Sequence, residues 1–459
     1  MGERGKREQA KGKRITAAAI SVESMNQRAA AAIPVPCCLF PVACSLLPVP
    51  SFPYSLVPLA SPVPKCYNVT CERRAGEKKM RVIQFSDSFL PVMDGVGNVV
   101  YQYATNMGQK GQEVYVVCPQ TDTGYRGNYP FEIVDYLGVP LLRLKSYKVG
   151  TPLLDVHCLN RLNHIHPDII HVHSPFIAGH AGLSYAHRAG CPIVGTFHSK
   201  YYDDFLQVTG NRLMAGWGAK LVANLYEKFT EVWTVSASSA DTLRGYGYKG
   251  DIRVISNGTD IKPVTDADVD AVRARFGLDD TPLLLYVGQI NWKKNLRCVL
   301  EGCARLKRPF RLLLAGQGPH ERDVARLAED LGIGDKVLFT GHICDGVTLN
   351  ALYRAASLFL FPSLYDTSGL VVREAAAMGT PSVVVAGSSA SEGMRNGFNG
   401  YLCRDDSADL ARVVEQALAD PRRLSRIGDT ARDTIPIPWA TLVDEVMRNY
   451  ERIVEKQGV

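Results

Sequence analysis

The chain has 459 residues, enough for two or three domains, and its 46% hydrophobic and 21% charged residues are ordinary for a globular protein. The formal net charge of +6 arises in residues 1–80, which carry 12 Lys/Arg against 5 Asp/Glu, whereas the remainder carries 40 against 41. Because the body is close to neutral, we expect no nucleic-acid partner. The sequence has no uninterrupted apolar run of about 18 residues or more, so an integral membrane span is not expected.

The cysteine pattern argues against a disulfide framework. Of the 12 cysteines, five lie before residue 80, and the other seven are scattered singly without a C-x-x-C pair. This pattern is typical of reduced thiols in a cytosolic enzyme and not of a zinc site. We therefore predict a cytoplasmic protein, and peripheral contact with the inner membrane face stays open.

Residues 1–79 do not have the pattern of a folded domain. A basic segment leads into an Ala-rich piece, and prolines then recur every few residues between Ile33 and Pro64. Proline at that density forbids a long helix or a ladder strand. Three interpretations stay open: a targeting leader, a disordered extension that touches membrane, or upstream sequence read from a wrongly assigned start, because Met80 would naturally open a first strand.

From Met80 onward, apolar strands alternate with helical patterns, which predicts βαβ units and doubly wound parallel sheets. A helix is expected at Val99–Gln109, and the pattern lapses through 261–280, where an Asp-rich helix is expected. The strands predicted before this lapse are 81–86, 113–118, 139–143, 169–173, 193–197, 232–235 and 253–255. Those predicted after it are 282–288, 310–315, 337–340, 356–361 and 382–386.

The stretch from 356 to 386 is predicted to form a strand, a loop, a helix and a second strand. The loop carries Asp366 and the helix carries Glu374, eight positions later. Ligands bind at the carboxyl ends of strands in an open parallel sheet, and amides that open a helix can donate to hydroxyls or phosphate. Those amides belong to Thr367, Ser368, Gly369 and Leu370. The structural alternative is that Asp366 caps the helix and Glu374 is a solvated helix residue.

The string from Phe361 to Pro381 resembles the acid-x7-acid signature of retaining sugar-nucleotide glycosyltransferases with the GT-B fold, in glycosyltransferase family 4. The resemblance implies that Asp366 holds hydroxyls of the donor sugar and that Glu374 holds the nucleotide ribose. The family usually has Glu at the first position, so Asp366 is one methylene shorter. Over residues 80–455 the resemblance implies two facing Rossmann-like domains. These are an acceptor domain at 80–261, a donor domain at 262–438, and a last helix within 439–459 that crosses back onto the first domain.

Further donor contacts follow from the same resemblance. Gly95-Val96-Gly97 after the first strand is by itself half a dinucleotide fingerprint or a tight turn. In the family, such a loop lets the backbone approach the donor phosphate. Lys294 matches a lysine that neutralises the diphosphate, whereas the family's arginine after Gly288 is replaced by Gln289, which removes one bidentate cation. Either Lys294 acts with helix-end amides alone or Lys293 contributes; the alternative is that both are ordinary surface lysines. The remaining implied contacts, each of which could also be a simple turn, are at Gly316, Gly318, Gly341, His342 and Ile343.

Two strand ends carry histidines. His198 lies in a segment that resembles the family's T-x-H, whose histidine reaches the donor sugar, so His198 joins Asp366 and Lys294 as a catalytic candidate. His171, His173 and His180 could be metal ligands, but no carboxylate accompanies the His171 and His173 pair at ligand spacing, so we expect no metal. The favoured interpretation is a loop that lines the cleft between the domains. The resemblance suggests His173 near the acceptor. Two further acceptor candidates follow His198: Tyr201 and Tyr202.

A helix predicted within 212–229 has large apolar residues four apart. They are Leu213, Trp217, Leu221, Leu225 and Phe229. Core packing is the favoured interpretation. The alternative is a membrane surface, because basic and aromatic residues share the helix.

The sequence thus predicts a metal-independent hexosyltransferase that retains the anomeric configuration and needs no cofactor besides a nucleotide-diphosphate sugar as donor. The segments 288–295 and 365–370 resemble a bacterial subgroup that includes diacylglycerol glucosyltransferases, so a lipid acceptor is the first expectation. The alternative within the class is a cell-wall or polysaccharide glycosyltransferase. From other classes, a sugar-nucleotide epimerase, a dinucleotide oxidoreductase or a non-catalytic sugar-nucleotide-binding protein could share paired Rossmann halves. The oxidoreductase would need a full G-x-G-x-x-G and a ribose-binding acid, and neither is present.

Overall fold

The computed structural model describes residues 79–90, 94–119, 127–141, 144–259 and 262–458. The interpretations of residues 1–78 therefore lie outside the described residues, as do the strand end predicted at 142–143 and the domain boundary at 260–261.

The first half of the described chain forms a parallel sheet. Its strands are β1 (Arg81–Phe85), β2 (Glu113–Cys118), β3 (Glu132–Asp135), β6 (Ile169–Val172), β7 (Ile193–Phe197), β8 (Glu231–Thr234) and β9 (Ile252–Val254), and a hairpin of β4 (Val139–Leu141) and β5 (Leu144–Val149) lies apart. The sheet order is β3-β2-β1-β6-β7-β8-β9. The helices of this half are α1 (Gly95–Gln109), α2 (Val156–Asn163), α3 (Ile177–Ala189), α4 (Tyr201–Thr209), α5 (Arg212–Tyr226) and α6 (Ala237–Gly245).

The second half repeats this architecture. Its strands are β10 (Leu283–Val287), β11 (Arg311–Ala315), β12 (Val337–Gly341), β13 (Leu358–Phe361), β14 (Ser382–Val385) and β15 (Tyr401–Cys403). They pair in parallel in the order β12-β11-β10-β13-β14-β15. The helices are α7 (Asp266–Phe276), α8 (Leu296–Ala304), α9 (Glu321–Asp330), α10 (Gly346–Ala355), α11 (Leu370–Ala377), α12 (Ser407–Leu418), α13 (Pro421–Thr434) and α14 (Trp439–Lys456). The prediction of two Rossmann-like parallel sheets is confirmed.

Two local predictions were wrong, and two edge strands were not predicted. The strand expected at 139–143 does not join the sheet, because Val139–Leu141 pairs antiparallel with β5. The sheet edge is formed instead by β3, and β15 forms an edge of the second sheet. The apolar alternation in both short strands is too weak to predict either from the sequence. The first helix begins at Gly95 and not at Val99, because the Asp94 side chain accepts a hydrogen bond from the Gly97 amide and caps the helix there.

The last helix, α14, packs on the first sheet. Its buried Trp439, Val446 and Tyr450 share one apolar cluster with Val99 of α1. The ring of Tyr450 stacks on that of Trp233 in β8, with centroids 5.5 Å apart. The C-terminal helix of the chain therefore belongs to the core of its N-terminal half.

In each sheet, the strand order reverses direction beside one central strand. The reversal falls between β1 and β6 in the first sheet and between β10 and β13 in the second. Loops at the carboxyl ends of such strands border a crevice in which open α/β sheets bind ligands. The chain after these strands carries Asp87 and His173 in the first half, and Lys294 and Asp366 in the second.

Among the residues that the structure describes, no helix is both long enough and apolar enough to cross a membrane.

Candidate active site

An ion pair joins the two loops at the reversal point of the second sheet. The ammonium of Lys294 lies 2.8 Å from Oδ2 and 2.9 Å from Oδ1 of Asp366. Both side chains are mostly buried, at 18% and 22% exposure, so solvent screens the pair less than it would a surface pair. The predicted cation and the predicted sugar-binding acid are therefore direct partners.

The loop after Asp366 reaches across to the first half of the chain. The carbonyl of Thr367 accepts a hydrogen bond from Ser239 Oγ, and Ser368 Oγ accepts one from Asn257 Nδ2. Gly369 follows with φ of 57°, and α11 begins at Leu370. A Cβ at Gly369 would come within 2.9 Å of Ala390 Cα, so both its backbone conformation and its surroundings require glycine.

Glu374 lies on α11. Its Oε2 accepts a hydrogen bond of 3.0 Å from the hydroxyl of Tyr353, which is fully buried on α10. Burial, followed by the nearby charge of Glu374, raises the pKa of Tyr353 well above its usual value, so this tyrosine remains a donor. Tyr353 holds one carboxylate oxygen of Glu374 in a fixed direction.

The glycines after β10 and β11 are required by backbone packing. A Cβ on Gly316 would lie 1.9 Å from the Gly288 carbonyl oxygen, and one on Gly318 would lie 2.1 Å from the Ile290 carbonyl oxygen. Gly288 itself has φ of 147°. These contacts require glycine where successive loops approach each other closely.

The remaining donor candidates of the second half flank these turns. The backbone carbonyl of Gln289 accepts a hydrogen bond from the Tyr286 hydroxyl, and Gly341 turns the chain at the end of β12 with φ of 70°. His342 is exposed, and Ile343 packs against the core of the second half. These residues therefore line the carboxyl edge of the sheet from β10 to β12.

Three histidines form a buried column at the carboxyl ends of β6 and β7. His171 stacks on His173 with ring centroids 4.1 Å apart, and His173 Nδ1 lies 3.1 Å from His198 Nε2. At the base of the column, His171 hydrogen-bonds to the Tyr450 hydroxyl and to Thr196 Oγ1 at 2.5 and 2.7 Å. The last helix therefore helps to fix the orientation of the column.

Burial keeps these histidines neutral. It lowers the pKa of His198 to about 3 and the pKa of His171 and of His173 well below the usual value. Nε2 of His173 is buried and has no hydrogen-bond partner within the described protein. The column thus offers neutral nitrogens, which can hydrogen-bond to a hydroxyl but carry no charge.

Sequence reasoning did not single out Asp87, which follows β1 and whose backbone amide donates a hydrogen bond to Ser174 Oγ, next to His173. Its Oδ1 accepts a hydrogen bond of 3.0 Å from the amide of Ala178 in the first turn of α3. Oδ2 is shielded from solvent and has no hydrogen-bond partner among the described residues. Burial raises the pKa of Asp87 to about 7. An acid just after a buried first strand was the available signal.

Contacts between the two halves surround the loop that carries Asp366. Lys200 Nζ donates to the Leu364 carbonyl at 2.8 Å, and the Tyr365 hydroxyl lies 2.5 Å from Asp204 Oδ1. Lys293 Nζ reaches back to Gln207 Oε1 at 2.5 Å. His198 and Asp366, the two predicted sugar contacts, therefore lie on segments that touch each other.

The remaining candidates differ in accessibility. Gly95 opens α1, where a Cβ would meet no described atom within 4 Å, and it is followed by Val96 and Gly97 in the same turn. Tyr201 is only 2% exposed and packs in an aromatic cluster with Phe197, so it presents little surface to an acceptor. Tyr202 is partly buried against the same cluster.

The interpretation of 212–229 as a core helix was wrong for its first half. Leu213 is 85% exposed, Trp217 52% and Leu221 42%. The buried side of α5 carries small residues, since a Cβ on Gly218 would come within 2.6 Å of the Phe205 ring on α4. Close packing of the two helices through glycine turns the large apolar side chains outward.

In the part of the chain that the structure describes, no group of three His, Cys, Asp or Glu side chains is placed to hold a metal ion.

Two Rossmann-like domains in contact through the loops at the reversal points of their sheets define the GT-B class of glycosyltransferases. Sequence comparison gives the family. Residues 93–262 match Glycosyltransferase Family 4, and residues 268–434 match Glycosyl transferases group 1. The chain belongs to this family of glycosyltransferases, and the predicted resemblance is confirmed.

Individual relatives act on different acceptors by name. The alpha-monoglucosyldiacylglycerol synthase of Streptococcus pneumoniae is 26% identical over 356 residues, covering 74% of this chain and 79% of that protein. The D-inositol 3-phosphate glycosyltransferase of Mycolicibacterium smegmatis is 30% identical over 306 residues, covering 62% of this chain and 67% of that protein. The crystal structure of Anabaena HepE in complex with UDP and glucose has a TM-score of 0.65 at 18% identity, covering 81% of this chain and all of that one.

Proposed function

We propose that this glycosyltransferase moves a hexose from a nucleotide-diphosphate sugar to a lipid hydroxyl such as that of diacylglycerol, with retention of anomeric configuration and without a metal ion. The Lys294–Asp366 ion pair at the reversal point of the second sheet is the main support for a nucleotide-diphosphate sugar as donor. One member can bind hydroxyls and the other a departing phosphate. The relative crystallised with UDP and glucose supports the same class of donor.

The transfer breaks the bond between the anomeric carbon and the diphosphate oxygen, and the bonding electron pair leaves with the diphosphate. The acceptor oxygen attacks from the face that the diphosphate leaves, and its proton passes to the departing phosphate oxygen. Lys294 stabilises the negative charge that develops on the diphosphate. Asp366 and the neutral His198 hold sugar hydroxyls, and Glu374, oriented by Tyr353, holds the ribose.

Two observations favour a lipid acceptor over a polysaccharide. One relative is named for a diacylglycerol product. In addition, α5 presents Leu213, Trp217 and Leu221 to solvent on a helix that has two basic residues and no acid. Helix α5 packs on α4, whose Asp204 and Gln207 contact the loops of the donor site. A bilayer that met this apolar surface would hold its lipid hydroxyls beside the site.

A product assay tests the proposal. The chain is incubated with UDP-glucose, UDP-galactose, GDP-mannose or ADP-glucose and with vesicles that contain diacylglycerol, and parallel reactions contain inositol 3-phosphate or an oligosaccharide. We expect a hexosyl-diacylglycerol whose anomeric configuration, read by NMR, equals that of the donor, in equal yield with EDTA. Transfer to the oligosaccharide alone would favour the polysaccharide alternative. An inverted product or loss of activity in EDTA would contradict the mechanism.

A further inference from the structure

The donor site lacks one cation at the position where the family has arginine. Gln289 occupies that position, and a glutamine can accept or donate hydrogen bonds but cannot offset the charge of a diphosphate. Of the two cations in the family pattern, Lys294 is the one that this chain keeps to neutralise the leaving group. A leaving diphosphate carries two or more negative charges, so a second cation nearby would matter for its departure.

Lys200, in the first domain, places another ammonium group at the loop that carries Asp366. Its Nζ donates a hydrogen bond of 2.8 Å to the carbonyl of Leu364, two positions before Asp366. The next residue is Tyr365. The ammonium of Lys294 lies 5.7 Å from the centroid of its ring, and the ammonium of Lys293 lies 4.8 Å from the same centroid. Three lysines from two domains thus surround one short loop.

Charged side chains of both signs act on Lys200. The side chain is partly buried, which lowers its pKa; the carboxylates of Asp203 and Asp366 act in the opposite direction, and Lys294 again lowers it. Both ammonium groups contact the same short loop, Lys200 at the carbonyl of Leu364 and Lys294 at the carboxylate of Asp366. An anion between the two ammonium groups would gain attraction from both.

We propose that Lys200 takes the place of the missing arginine and binds the diphosphate of the donor together with Lys294. This assignment rests on the proposed function and deepens it, because it names a residue of the first domain as part of the donor site. Lys200 stays protonated throughout the transfer and accepts no proton. The leaving group is then stabilised fully only while the two domains are in contact, which couples donor cleavage to the closed form of the cleft.

Binding of nucleotides separates this role from a structural one. Affinities for UDP, GDP and ADP, and for the matching monophosphates, are measured by calorimetry on the wild type, Lys200→Met, Gln289→Arg and the double variant. The control is Lys228→Met, since Lys228 is an exposed lysine of the same domain. Removing one charge-assisted hydrogen bond weakens binding by about tenfold or more.

We expect Lys200→Met to weaken binding of the preferred diphosphate at least tenfold and binding of its monophosphate far less, and we expect Gln289→Arg to restore most of the loss in the double variant. Equal losses for diphosphate and monophosphate without restoration would assign Lys200 to the Leu364 contact alone and overturn the proposal. Unchanged binding in Lys200→Met would also overturn it, while the proposed function would stand. A wild type that binds none of the three diphosphates would overturn the proposed function itself.

Discussion

Lys294 lies within 2.9 Å of both carboxylate oxygens of Asp366, 72 positions further along the chain. The pair connects the loop after β10 with the loop after β13, so each side chain fixes the position of the other before any ligand binds. Because the pair is mostly buried, removing one member leaves the other with an uncompensated charge.

We predict that Lys294→Met and Asp366→Asn each lower kcat by roughly 100-fold, since each removes a contact that strengthens as the diphosphate departs. The double variant should lose little more than either single variant, because the two residues act as one unit. Initial rates of nucleoside diphosphate release measure this, with Lys228→Met as the surface control. Losses that multiply in the double variant would show that the two residues act independently.

The sequence was sufficient for most strands of the two sheets, because apolar runs and the short loops after them are local signals, but not for the short edge strands β3 and β15. Asp366 and Lys294 could be named from their motifs, but their contact could not, since it depends on the order of β10 and β13 in the sheet. Lys200 carried no local signal: its relevance comes from Leu364, 164 positions away, across the domain contact.

Helix α5 shows a second limit of prediction from the sequence. A row of apolar residues four apart predicts a buried face, and the sequence does not reveal that small residues are the ones that pack in the first half of this helix. The exposure of Leu213 and Trp217 and the close approach of Gly218 to the Phe205 ring show which face is inside. The buried histidines are a third case, because the contact between His173 and His198 depends on the pairing of β6 with β7.

The buried histidine column predicts a pH dependence of stability. The pKa of His198 is lowered from 6.5 to about 3 by burial, so between these values the unfolded chain binds a proton that the folded chain does not. Stability therefore falls as pH falls through this window, by up to about 1.4 kcal/mol per pH unit for each such histidine. His198→Gln should flatten this fall, measured by urea unfolding at pH 4.5, 5.5 and 6.5.

The matched control for this experiment is His187→Gln, because His187 is exposed on α3. Its unfolding curves should follow those of the wild type at every pH. Parallel pH profiles for the wild type and His198→Gln would contradict the assignment of a buried, neutral His198.

The buried Asp87 predicts a pH dependence of stability with the sign opposite to that of His198. Burial raises its pKa from 3.8 to about 7, so the folded chain keeps a proton that the unfolded chain releases across this window. Its contribution to stability is present below pH 3.8 and is lost as pH rises towards 7. Asp87→Asn keeps an acceptor for the Ala178 amide and removes the titration. We expect the free energy of unfolding of this variant, relative to the wild type, to increase from pH 5 to pH 7.

The same measurement on Asp330→Asn gives the control, since Asp330 is exposed at the end of α9. A difference between Asp87→Asn and the wild type that stays constant from pH 5 to pH 7 would show that Asp87 is ionised in the folded protein across this range.

Two glycines of α5 should respond to alanine with opposite signs. Gly216 is exposed and a Cβ there would meet no described atom within 4 Å, so Gly216→Ala should stabilise the protein by about 0.5–1 kcal/mol through a lower backbone entropy of the unfolded chain. At Gly218 a Cβ would lie 2.6 Å from the buried Phe205 ring, so Gly218→Ala should destabilise by about 1–3 kcal/mol. Equilibrium urea unfolding measures both; the same sign in both variants would contradict the packing of α5 on α4.

The exposed face of α5 should bind anionic membranes. We expect the wild type to sediment with phosphatidylglycerol vesicles, because Leu213, Trp217 and Leu221 can enter the interface while the basic residues of the helix meet the lipid charge. Replacing all three by serine should weaken vesicle binding at least about tenfold, since each buried apolar side chain contributes about 1.5–3 kcal/mol. A control variant replaces three similarly exposed apolar residues elsewhere: Val254, Leu338 and Phe398. Binding that drops equally in both variants, or a wild type that does not sediment, would show that α5 is not a membrane-binding surface.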